Sequence, residues 1–112
     1  MENFTVSRGK WREYDVKVTL QAGTYKGDFV FQIRGNITPY DALKYLDPDC
    51  DPVEPVQNNC GYKESENDYG DYLFEALLKD EAGNTCHVED ECCFLEDYIV
   101  GLEIIDCRNY KL

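Results

Sequence analysis

Residues 14–20, Tyr-Asp-Val-Lys-Val-Thr-Leu, alternate apolar and polar side chains without a break, and no other stretch restricts the fold as much. A period of two is the strand repeat, so Tyr14, Val16, Val18 and Leu20 are expected on one buried face. Gln21-Ala22-Gly23-Thr24 reads as a turn, after which residues 25–34 resume as a strand with Phe29, Phe31 and Ile33 facing inward. Two such runs around a short Gly-bearing turn predict an antiparallel hairpin.

The rest of the chain carries weaker signals. Residues 1–12 read as an arm that packs an aromatic back. Gly35-Asn36 ends the second strand, and Thr38-Pro39 has the form of a helix N-cap followed by a first-turn proline, predicting a short helix over 39–46. Residues 47–70 hold three prolines within eight positions, then Asn58-Asn59 and an acidic run, and are expected to form a long loop. Strand pattern returns over 71–78 with apolar groups on both faces. A turn at 81–84 follows, then a returning strand over 85–89, with Cys86 and Val88 on one side and His87 on the other. Asp90 can cap a helix over 91–100, where Cys93, Leu95, Tyr98 and Ile99 fall near helical spacing, and Gly101 can end it. A last strand over 102–109 places Leu102, Ile104 and Asp106 on one face and Ile105 and Cys107 on the other. The expected fold is therefore α+β: one two-layer domain spanning 1–112, in the order β-β-α-loop-β-β-α-β, with an antiparallel sheet of about five strands and two short helices. At 112 residues, with 43% hydrophobic and 13% aromatic side chains, the chain can bury a core of its own.

Charge narrows the function classes. The net charge is -12, and it is uneven: residues 1–46 carry seven Lys or Arg against five Asp or Glu, and residues 47–112 carry four against eighteen. Such a balance argues against direct nucleic-acid binding and against an anionic membrane surface, and it attracts a basic partner or a cation. The start, Met-Glu-Asn-Phe-Thr, has neither the basic nor the apolar region of a secretory signal, and no apolar run approaches the roughly 20 residues of a membrane span. A cytoplasmic location is expected, with the six cysteines as thiols.

The chemistry-bearing residues form no established motif. Cys50, Cys60, His87 and Cys92 could supply four zinc ligands, but the close C-x₂₋₄-C pairs that pre-organise a zinc site are missing. Asp47-Pro48-Asp49-Cys50-Asp51 imitates the start of an EF-hand loop, then places Pro52 where a glycine is needed and Asn58 where the closing glutamate belongs. His87 neighbours Cys86 on a strand, so the two point to opposite faces, and acidic surroundings raise a thiol's pKa and oppose a nucleophilic role. There is no Gly-rich phosphate loop. No enzyme activity and no cofactor is called for.

What remains is recognition. Asp47, Asp49, Asp51, Glu64, Glu66 and Asp68, with Tyr69 as an aromatic anchor, form a candidate surface for a protein partner with a basic face. Carboxylates held a few ångströms apart can stand in for phosphates, so a nucleic-acid-binding protein is the natural target and inhibition a natural outcome. In gross composition alone, the chain resembles small acidic proteins of phages and mobile elements that inhibit restriction or CRISPR enzymes. The alternative is a metal-binding or thiol-bearing structural domain built on Cys50, Cys60, His87 and Cys92.

Overall fold

The computed structural model describes residues 12–35, 55–66, 68–91 and 95–109. Two strands, β1 (Arg12–Ala22) and β2 (Tyr25–Gly35), form the hairpin expected from the alternation, paired from Ala22↔Tyr25 to Arg12↔Gly35. Only Gly23 and Thr24 lie between them. Gly23, at the first loop position, has φ +64, the left-handed backbone that a two-residue hairpin turn favours there. Tyr14, Val16, Val18 and Leu20 are fully buried on one face, and Phe29 and Phe31 continue that face on β2.

Among the described residues five further strands join the sheet: β3 (Gln57–Asn58), β4 (Lys63–Glu66), β5 (Tyr72–Lys79), β6 (Thr85–Asp90) and β7 (Ile99–Asn109). All pair antiparallel in one seven-stranded sheet. β7 pairs with β1, which is thereby bonded on both edges. β5 is bonded on both edges too, by β4 and β6. The two groups meet where β2 passes β5 at Lys26↔Lys79 and where β3 lies on the free edge of β2. Phe74, Ala76 and Leu78 of β5 and Val88 of β6 share one core with the buried residues of β1 and β2, so the two groups are two arms of one packed unit.

The α+β expectation is thus corrected: among the described residues the fold is all-β. The expected helix over 91–100 is replaced from Leu95 onward. Leu95 adopts left-handed backbone (φ 55), Glu96–Tyr98 make a single 3-10 turn, and Ile99 and Val100 already belong to β7. A helix cannot run through a left-handed residue, and β-branched Ile99 and Val100 favour the pleated strand. The expected helix over 39–46 and the arm over 1–11 lie outside the described residues. The expected loop over 47–70 contains β3 and β4 in its later part, and its residues 47–54 lie outside the described residues.

The faces of the last strand are corrected as well. Pairing between β1 and β7 slips between Asp15 and Val16 and again between Thr19 and Leu20, so Ile105 and Val100 are the extra residues of two β-bulges. Each slip resets the alternation. Ile99, Leu102, Ile104 and Cys107 all pack against the core, whereas the bulged Val100 and Ile105 are 58% and 50% exposed.

Candidate functional site

The junction between the arms is built around Asn58. Its side-chain Oδ1 accepts from the backbone N–H of Cys60 (3.2 Å) and Tyr62 (3.0 Å), and its Nδ2 donates to the Tyr62 carbonyl at 2.6 Å. These bonds curl residues 58–62 tightly, with Gly61 at φ +64. Tyr62 is turned into the core, where its ring stacks on Phe29 at a centroid distance of 3.9 Å. Its hydroxyl donates to Glu64 Oε1 at 2.8 Å, and burial raises the pKa of the phenol far above its ordinary value.

Beyond Tyr62 the chain becomes β4, Lys-Glu-Ser-Glu, and then turns through Asp68, Tyr69 and Gly70 into β5. Glu66, Asp68 and Asp71 are exposed at this turn, and Tyr69 is 90% exposed between them. Four of the residues proposed for partner recognition, Glu64, Glu66, Asp68 and Tyr69, therefore sit on one edge strand and its turn. Glu64 differs from the rest because it is committed to the Tyr62 hydroxyl. Asp47, Asp49 and Asp51 lie outside the described residues.

A second group stands on the outer face of β4–β5–β6. Cross-strand pairing sets Lys63 and Glu89 directly opposite Glu75, with His87 opposite Leu77. Glu75 Oε1 lies 2.9 Å from His87 Nε2, and Lys63 Nζ lies 3.5 Å from Glu75 Oε2. One possible ligand atom from each of Glu75, His87 and Glu89 falls within 4.8 Å of the others. This group can hold a cation, and inspection of motifs alone missed it. The signal was available: a hairpin closing at Lys79↔Thr85 pairs residues whose numbers keep a constant sum, which brings 75 to 89 and 77 to 87.

Of the four residues weighed as zinc ligands, Cys60 and His87 are described and are not brought together as a ligand set. Cys60 is buried in the core as a free thiol, pushed up in pKa by that burial, whereas His87 faces outward. Cys50 and Cys92 lie outside the described residues. Cys86 and Cys107 are partly buried and pack against the core.

On β1 and β7 the outer face is closed by its own cation. Arg108 donates to Asp15 (2.7 Å to Oδ1), to Glu13 (2.7 Å to Oε1) and to Asp106. The guanidinium beside Asp15 holds that carboxyl below the usual carboxylate range. At the β5–β6 turn, Asp80 accepts from both the side chain and the backbone N–H of Asn84, which lowers its pKa in the same direction.

The chain is small and acidic, and its described residues form an all-β fold. The chain belongs to the family of unknown function DUF5406, which matches residues 3–108. An uncharacterised protein of Enterococcus faecalis strain V583 is 33% identical over 103 residues, covering 91% of this chain and 93% of that protein. No solved structure matches significantly. Among the described residues no helix is long and apolar enough to cross a membrane.

Proposed function

We propose that this domain is a non-enzymatic protein-binding module whose acidic β4–β5 turn engages a basic protein surface, such as the nucleic-acid groove of another protein. One observation carries the reading: Tyr69 is 90% exposed between the exposed carboxylates of Glu66, Asp68 and Asp71. A large aromatic is costly to leave in water, and tyrosine ringed by charge is the composition of an interface anchor rather than of a solubilising loop. The surrounding segment supports it, because residues 63–91 carry ten Asp or Glu against two Lys. Such a field speeds the approach of a cationic partner and sets its orientation.

The test is a pull-down from host lysate with the wild type, with Glu66→Lys/Asp68→Lys, and with Tyr69→Ala. Glu64 is left intact because its bond to Tyr62 reaches the core. The expected result is a partner with a basic surface whose capture falls at least about tenfold in either variant and on raising salt from about 0.1 M to about 0.5 M. The paired charge reversal should leave folding stability within about 0.5 kcal/mol of wild type. A partner held equally by both variants, or one indifferent to salt, would overturn the reading.

A further inference from the structure

We infer that Glu75, His87 and Glu89 form a binding site for a divalent first-row transition ion of the zinc type on the outer face of β5–β6. The inference is independent of the protein-binding reading, since it uses a different face and none of the residues of the β4–β5 turn.

Geometry comes first. Ligand atoms 2.0–2.2 Å from one zinc ion stand roughly 3.0–3.5 Å apart. Glu75 Oε1 and His87 Nε2 are already 2.9 Å apart, and the third ligand atom lies within 4.8 Å of both. Glu89 is exposed, so a rotamer change can bring its carboxylate in, whereas Glu75 and His87 are tied together across the hairpin. A nitrogen with two carboxylates suits zinc and its neighbours, while calcium and magnesium prefer oxygen alone. Three protein ligands leave further positions for water.

A contrast within the same sheet supplies the second argument. Like charges set directly opposite across a strand pair are unfavourable, and among the described strands two such pairs are acidic, Asp15↔Asp106 and Glu75↔Glu89, beside the basic pair Lys26↔Lys79. The first is bridged by Arg108, which bonds both carboxylates. The second has Lys63 on Glu75 alone, and no ion pair to Glu89 is formed among the described residues. A bound dication would do for Glu75 and Glu89 what the guanidinium does for Asp15 and Asp106. Lys63, on the other oxygen of Glu75, would then compete with it.

The probe is Co2+ added to the reduced full-length chain, whose single histidine gives an unambiguous ring signal. One ion per chain should bind with micromolar affinity and perturb the His87 ring nitrogens in NMR. No sulfur-to-cobalt charge-transfer band should appear. His87→Ala and Glu89→Gln, both at exposed side chains, should keep the melting temperature of the metal-free protein and weaken Co2+ binding at least about tenfold. Lys63→Ala should tighten it several-fold. Wild-type affinity in His87→Ala, a thiolate charge-transfer band, or no binding at millimolar Co2+ would overturn the inference.

Discussion

The two arms of the sheet are built on the same strand pattern and differ in how their outer faces handle charge. In the arm of β1, β2 and β7, residues 12–35 carry four Lys or Arg against three Asp or Glu. Here Lys17 pairs with Asp28 at 3.4 Å, and Arg108 gathers Glu13, Asp15 and Asp106. The arm of β4, β5 and β6, over residues 63–91, holds ten Asp or Glu against two lysines, with one of those lysines on Glu75. Both arms contribute to one core, so packing does not require the second to be so acidic. Charge left uncompensated on a well-packed scaffold is where an external cation or a basic partner has most to gain.

The largest way to break this comparison is to strike the core that both arms share. Phe31→Ala, at a buried ring on β2, should cost roughly 3–5 kcal/mol in chemical denaturation through the cavity it leaves. A smaller change can separate the arms instead. A Cβ on Gly27 would lie 2.4 Å from the Cys60 Cβ and 3.0 Å from Leu78 Cδ2, at the seam between β2 and the 58–62 curl. Gly27→Ala should therefore destabilise by about 1–3 kcal/mol. Its signature is faster amide exchange in β3–β5, which meet the clash at Cys60 and Leu78, with β1 remaining slow between β2 and β7.

The smallest effect sharpens the electrostatic half of the contrast. Because Asp15 has a lowered folded-state pKa, its contribution to stability is complete above the unfolded carboxylate value, near 3.8. That contribution is lost as pH falls through the lower folded-state value. Wild type should therefore exceed Asp15→Asn in stability at neutral pH, and the gap should close in acid below about pH 4 in a pH series of urea melts.

What could be read from the sequence follows the same division. The β1–β2 hairpin was legible because every second residue from Tyr14 to Leu20 is apolar and fully buried, and because a Gly-bearing turn fixes its register. β5 and β6 were legible for similar reasons, with apolar Phe74, Ala76, Leu78 and Val88 in phase. β4 was not, because Lys-Glu-Ser-Glu has no apolar alternation and is a strand only through pairing with β5. The start of β7 was misread as helix because Leu95, Tyr98 and Ile99 fall at helical spacing, and nothing local shows that Leu95 is left-handed and that Ile99 already begins the strand. The acidic turn residues were visible as a charge run, but the tie between Glu64 and Tyr62 was not, since nothing local shows that Tyr62 turns inward. The Glu75–His87–Glu89 group was hidden because its members come together only through hairpin register.

The two irregularities in β7 have a consequence for how copies of this chain behave in solution. β7 ends the described sheet and is eleven residues long, a length that would otherwise offer a template for another molecule's strand. Extra residues at Val100 and Ile105 interrupt the even spacing of its backbone donors and acceptors and sharpen its twist. A straight strand from a neighbour cannot match that edge over its full length, so the shape of this described edge works against strand addition, as does repulsion between acidic copies.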